Sequence, residues 1–196
     1  MSADKPVYSE IDITNSWTEQ NTRIVRIWKE TLHKTSFTYR YVYELYKKRL
    51  NRIMIGIIII NAIATIFNGL STISLTTDNV IYKYIALALN AATFLMAGLS
   101  TILPAIAKIY KYDEYISSLM AYNAKLDAKY SQYAGLLMLP NKMREYAYDF
   151  IKAENDSFVE LIRQNPEIDP DNQDKALSKY KTYLDLNPIN DTVIEV

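Results

Sequence analysis

The sequence predicts an all-α protein: a two-helix transmembrane hairpin with an amphipathic helical bundle formed by both flanking regions. Three observations lead there. Ile53 to Thr77 (25 residues) and Tyr84 to Ala107 (24 residues) contain no Asp, Glu, Lys, Arg or His. Apolar residues on either side of these spans recur at steps of three and four. Strand-like alternation is confined to short pieces, Val7 to Ile13 and Thr192 to Val196. Whole-chain averages conceal this pattern, because 196 residues with 22 basic and 22 acidic groups and a mean hydropathy of -0.11 describe an ordinary globular domain.

Residues 1–15 form a polar N-terminal segment without the apolar core or cleavage pattern of a secretory signal. Ser16-Trp17-Thr18-Glu19 fits a capping box, so an amphipathic helix is expected over 16–52, with a break near Thr35-Ser36. Its apolar stripe is Ile24, Ile27, Trp28 and Leu32, then Tyr39, Val42, Tyr43, Tyr46 and Leu50. The hairpin occupies 53–107, as spans 53–77 and 84–107 joined by a short linker from Thr76 to Lys83. At about 1.5 Å per residue each span reaches roughly 36 Å, enough to cross a hydrocarbon core of about 30 Å. A pair of buried helices in a soluble bundle would usually carry a charge on some face within four turns.

The bundle region, 108–165, continues with Tyr112, Tyr115, Leu119, Tyr122, Leu126, Tyr130, Tyr133 and Leu137 at coiled-coil spacing. A further helix is expected from Pro140 to Asn165-Pro166, with Met143, Ala147, Phe150, Ile151, Phe158, Leu161 and Ile162 on one side. The acidic C-terminal region, 166–196, holds a last helix over about Asn172 to Leu186, opened by Asp169-Pro170, with Ala176, Tyr180, Tyr183 and Leu184 as its apolar residues.

Two crossings place both termini on one side. Arg40, Lys47, Lys48, Arg49 and Arg52 precede the first span and Lys108 and Lys111 follow the second, against Lys83 alone in the linker, so that side is expected to be the cytoplasm. Nine of the 17 tyrosines flank the spans, as interfacial rings do: Tyr39, Tyr41, Tyr43, Tyr46, Tyr82, Tyr84, Tyr110, Tyr112 and Tyr115; Tyr39 and Tyr115 also fall on helical stripes, so for these two core packing outside the membrane is the alternative. Lys47, Lys48, Arg49 and Arg52 either contact lipid head groups or only set topology.

Within the first span Asn61, Thr65, Asn68 and Thr72 share a face with Gly69 nearby, and the second span offers Asn90, Ala97, Gly98 and Thr101. Such residues make interhelical polar contacts, and end-to-end alignment of the spans puts Asn68 opposite Asn90. This stripe either holds the two helices together or lines a water path or oligomer seam; the absence of ionisable residues favours the first. Pro104 is expected to kink the second helix by freeing the carbonyl of Ser100.

Composition excludes much chemistry. The chain has no cysteine, one histidine and four scattered glycines, which removes thiolate sites, His-rich metal sites and Gly-rich phosphate loops. No cofactor, metal or catalytic residue is expected. His33 reads as a polar-face residue rather than half of a dyad with Ser36. Glu145, Asp149, Glu154, Asp156 and Glu160 read as the solvent face of a helix. With no strongly basic domain, a nucleic-acid partner is not expected. Asn155-Asp156-Ser157 and Asn190-Asp191-Thr192 are formal glycosylation sequons, and Ile194-Glu195-Val196 has only a chance-level likeness to a PDZ-binding end.

The helix bearing Trp17 and Trp28, the Tyr39 to Tyr46 cluster, the short hairpin, the Tyr112 and Tyr115 helix, Pro140 to Arg144, Phe150, Phe158 and Pro166-Glu167-Ile168 together resemble the SLATT family of two-transmembrane proteins, over about residues 16–170. That resemblance implies a non-enzymatic membrane effector that oligomerises and perforates the bilayer when a sensor partner triggers it. The acidic stretch from Asp169 and the lack of a fused sensor depart from the family pattern. Richness in Ile, Asn, Lys and Tyr is also similar to proteins of AT-rich large DNA viruses. This implies the alternative of a minor capsid protein linking an internal virion membrane to a shell or scaffold partner.

Overall fold

The computed structural model describes residues 17–76 and 79–187. Ser16, Thr77, Asp78, the strand-like pieces, the Asn190 sequon and Ile194-Glu195-Val196 lie outside them. The described residues contain five α-helices and one short 3₁₀ turn, with no strand: α1 (Glu19–Leu75), α2 (Val80–Ile109), α3 (Tyr112–Met138), the turn Asn141–Met143, α4 (Ala147–Arg163) and α5 (Pro170–Leu186).

Several expected boundaries shift. The first turn of α1 is capped by Thr18, whose Oγ1 accepts from the Asn21 N–H at 3.2 Å. No break occurs at Thr35-Ser36, and α1 runs for 57 residues. The polar pair is tolerated because Ser36 Oγ donates to Asp127 at 2.6 Å, and the Asn123 amide bridges the Ser36 carbonyl (3.1 Å) and the Arg40 N–H (3.0 Å). α2 starts four residues earlier than its span, at Val80, where Asn79 accepts from the Ile81 N–H at 2.9 Å. Lys111, at φ 48°, takes the left-handed conformation that separates α2 from α3. Pro140 opens the 3₁₀ turn rather than a long helix, and Met143 in that turn is exposed. Asp169 caps α5 as expected, accepting from the Asp171 N–H at 3.0 Å.

The chain divides into two compact units. Of the described residues, the first combines 17–42 with 118–187. Its core takes Val25, Trp28, Leu32, Tyr39 and Val42 from α1 and Leu119, Tyr122, Leu126 and Tyr133 from α3, both at coiled-coil spacing. Ile27, expected inside, is exposed, and Val25, outside the expected stripe, is buried. Trp28 sits between Tyr133 (5.7 Å) and Phe158 (5.3 Å), and Tyr39 packs edge-on to Tyr122 (4.7 Å). Aromatic pairs of this kind contribute about 0.5–1.5 kcal/mol beyond area burial. α4 adds Ala147, Phe150 and Leu161, and α5 adds Ala176, Tyr180 and the buried Asn172.

The second unit, Tyr43–Ser117, is an antiparallel pair made by the C-terminal part of α1 and α2. Ser71 meets Ala86 and Asn90 near the turn, and Tyr46 meets Tyr112 (5.8 Å) and Tyr115 (4.8 Å) at the far end. Pairing Ser71 with Asn90 and Tyr46 with Tyr115 is one register, since the two pairs are separated by equal numbers of residues along both strands of the hairpin. From Tyr46 along α1, Tyr46, Leu50, Ile53, Ile57, Ile60, Ala64, Phe67, Ser71 and Ser74 are shielded, with Gly56 and Ile63 part-shielded beside them. Along α2, Ala86, Leu89, Thr93, Met96, Ser100, Leu103 and Ala107 are shielded, with Ala92 beside them. The two main rows step alternately by three and four, the seam of an antiparallel coiled coil.

Candidate membrane-contact surface

Both helices of the second unit are long and apolar enough to cross a membrane. Their large side chains do not form a core: Ile73 is 67% exposed, Phe94 79% and Leu95 68%. A contiguous apolar surface on this scale marks contact with another apolar phase or protein.

The seam divides that surface into two unlike faces. One residue further along α1 lies about 100° round the helix. Asn61, Thr65, Asn68 and Thr72 each follow a seam residue and are all exposed. On α2 the corresponding positions are Asn90, Phe94, Ala97, Thr101 and Pro104, all exposed. Because the helices are antiparallel, the two rows turn toward the same side of the hairpin, forming a face that is small and polar except at Phe94. The opposite side comes from the residues preceding the seam, Ile59, Ile63, Ile66, Leu70 and Ile73 on α1 and Leu95, Leu99, Ile102 and Ile106 on α2, a face of aliphatic groups.

The expected bond between Asn68 and Asn90 does not form. Asn90 Oδ1 instead accepts from Ser71 Oγ at 2.7 Å, and the same hydroxyl lies 3.3 Å from the Ala86 carbonyl. Asn68 follows the seam residue Phe67 by one position, about 100° round the helix, so it is turned out of the seam, and Gly69 and Gly98 are likewise not points of close approach: a Cβ on either would meet nothing within 4 Å. Ser71 was missed because an isolated serine carries little signal until the seam is known; with the seam anchored at Tyr46, the three-four stepping leads to it. Thr65, Thr72 and Thr101 satisfy their hydroxyls within their own helices, donating to the carbonyls of Asn61 (2.8 Å), Asn68 (2.9 Å) and Ala97 (2.9 Å). The Asn61 and Asn68 side-chain amides have no hydrogen-bond partner among the described residues. Pro104 lies within α2, which continues through it to Ile109.

At the other end of the hairpin, Lys47, Lys48, Arg49 and Arg52 are exposed. Lys47 Nζ lies 5.3 Å from the Tyr43 ring centre, and the Arg49 guanidinium 5.3 Å from that of Tyr46. Tyr84, near the turn, and Tyr110, after α2, are both exposed. Along a helix they stand about 39 Å apart, close to the roughly 40 Å between the outer limits of a bilayer's interfacial regions.

Two side chains of the first unit depart from the sequence reading. His33 is not a solvated polar-face residue: its Nδ1 lies 3.0 Å from Tyr180 Oη, and its ring packs among Tyr130, Tyr180 and Tyr183. Burial, followed by the Lys29 charge, holds its pKa below the ordinary 6.5, against an opposing pull from Asp127. Glu154 is not on the solvent face: Lys129 pairs with it, Tyr133 Oη donates to it at 3.0 Å and Gln132 at 3.3 Å. Burial pushes this carboxyl up, but the three donors outweigh it and hold the pKa below 4.5. Periodicity assigned α4 a polar side; it had no means of showing that Lys129 and Tyr133 would close over part of it. Among the described residues no three His, Asp or Glu side chains gather as a metal centre would require.

No known protein family, curated protein or solved structure matches the chain.

Proposed function

We propose that the chain is a non-enzymatic, two-pass integral membrane protein whose copies associate through the polar face of the hairpin, in the manner of a SLATT-like oligomeric effector. α1 from Ile53 and α2 cross the bilayer, both flanks lie on the cytoplasmic side by the excess of Lys and Arg there, and the first unit is the soluble bundle they carry. One observation carries the association: Asn61 and Asn68 are exposed on the charge-free stretch of α1 with no partner for their amides among the described residues. In hydrocarbon, interhelical polar contacts contribute about 0.6–2 kcal/mol each, and unpaired amides cost more than that. A second copy presenting the same face supplies both donor and acceptor, because an amide is both. The aliphatic side then faces lipid.

The mass of the full chain in mild detergent tests this. Wild type is expected as a multimer, and Asn61→Leu with Asn68→Leu as a monomer that still resists carbonate extraction. A monomeric wild type, or an unchanged multimer in the double variant, overturns the association and favours a membrane anchor for a scaffold protein. Leakage of entrapped dye from liposomes holding the multimer tests whether it perforates the bilayer, and an intact barrier counts against the effector role.

A further inference from the structure

The row of α1 that heads the aliphatic side of the hairpin begins with two arginines. Arg49 and Arg52 each precede a seam residue, as Ile59, Ile63, Ile66 and Leu70 do further along. Three residues apart, they share a helix face. Arg49 is oriented by the Tyr46 ring beneath it, 5.3 Å from the guanidinium to the ring centre. Neither Arg49 nor Arg52 takes part in an ion pair among the described residues, unlike Lys111–Glu114, Lys129–Glu154 and Arg163–Glu160. About one turn beyond Arg52 stands Gly56, where a Cβ would meet nothing within 4 Å, so the helix surface is notched between the arginines and Ile59. By the hairpin register, Ile102 and Ile106 of α2 flank this notch, and both are exposed.

We infer that this surface is a binding site for an anionic phospholipid, with its phosphate between Arg49 and Arg52 and an acyl chain running through the Gly56 notch along Ile59, Ile102 and Ile106. The inference rests on the membrane-spanning reading and deepens it. Two unpaired guanidinium forks match phosphate oxygens bidentately, which a pair of lysines does not. The exposed apolar surface of Ile59, Ile102 and Ile106 directly beside them selects a lipid over a soluble phosphate. A purely topological role needs only positive charge, so it distinguishes neither Arg from Lys nor one face of α1 from another.

The full chain is reconstituted in nanodiscs of equal phosphatidylcholine and phosphatidylglycerol, extracted gently, and its retained lipid read by native mass spectrometry. Wild type is expected to retain phosphatidylglycerol over phosphatidylcholine by about tenfold. Arg49→Lys with Arg52→Lys should lose most of this preference, and Arg49→Gln with Arg52→Gln nearly all of it. Lys47→Gln with Lys48→Gln removes the same charge from other faces and should cost clearly less of the preference than the Arg49→Gln, Arg52→Gln pair. Parity in wild type, equal losses in the two Gln pairs, full retention in the Lys pair, or displacement by excess inorganic phosphate overturns the site. Carbonate extraction of wild type separates the two ideas: release from the membrane refutes the spanning reading and this site with it. Retention without lipid preference refutes the site alone.

Discussion

The most direct check on the hairpin register is a double-mutant cycle on Ser71 and Asn90. Ser71 is almost completely buried where the two helices meet, with one short bond to Asn90 Oδ1 (2.7 Å) and a longer approach to the Ala86 carbonyl (3.3 Å). Interhelical hydrogen bonds in membrane proteins couple by about 0.6 kcal/mol on average and about 1.7 at most. Asn90 remains exposed, so losing its donor leaves no fully buried orphan, and the desolvation penalty is small. Ser71→Ala should therefore cost about 1 kcal/mol, with most of it shared with Asn90→Ala in the cycle. Ala86→Leu forces bulk into the same fully buried approach and should cost about 1–3 kcal/mol. Asn68→Leu removes an amide that makes no bond within the hairpin and should cost the hairpin itself about 0.5 kcal/mol or less. Unfolding in mixed micelles titrated with sodium dodecyl sulfate, read by pulse proteolysis of the full chain, gives each value. A Ser71–Asn90 coupling near zero, or an Asn68→Leu loss as large as that of Ser71→Ala, would refute the register and with it the assignment of the two faces.

Three further outcomes concern the bundle. Glu154→Gln removes a part-buried carboxylate that accepts from Lys129, Tyr133 and Gln132, and should lower stability by about 1.5–3 kcal/mol in thermal or denaturant melts followed by tryptophan fluorescence. Stability should fall with acid in two stages. Unfolded His33 takes up a proton below about pH 6.5 while the folded ring resists, so stability is full above that value and drains as pH falls toward the folded pKa. Glu154 follows the same sign below 4.5, because the unfolded carboxylate protonates before the folded one. His33→Phe should abolish the upper stage and leave the lower; a profile with both stages intact would show that another group titrates. Asn123→Asp keeps an acceptor for the Arg40 N–H but offers no donor to the Ser36 carbonyl, so it should destabilise, and Asn123→Ala by about 1–3 kcal/mol; amide exchange at Arg40 should quicken in the Ala variant.

How much of this was legible in the sequence varies with the kind of information required. The all-helical fold was legible, because three-four periodicity and two charge-free spans are local properties. The stripe from Leu119 through Tyr122 and Leu126 to Tyr133 is the buried edge of α3. Long-range pairing was not legible. A polar residue on an apolar stripe reads as a break when its partner is unknown, and Ser36 is accommodated only because Asp127 and Asn123, about ninety residues later, supply matching polar groups. His33 and Glu154 misled for the same reason: each is covered by residues from a distant helix, Tyr180 in one case and Lys129 with Tyr133 in the other.

The apolar helices show the narrowest form of this limit. Absence of charge reports how deep a residue can sit and says nothing of which way it points. Asn61, Thr65, Asn68 and Thr72 share a face by their spacing, yet that face stands one residue, about 100°, off the seam. The same rotation makes the error informative. Were the amides in the seam, they would hold the hairpin together and leave its whole outside aliphatic, with nothing to bring two copies together. Turned outward, they leave cohesion to Ser71, Asn90 and a row of aliphatic seam residues, and place unsatisfied donors and acceptors on one side only. A hairpin with amides on one side and, on the other, an aliphatic α1 row headed by Arg49 and Arg52 matches the two neighbours proposed for it, a like copy and an anionic lipid, and separate substitutions test each.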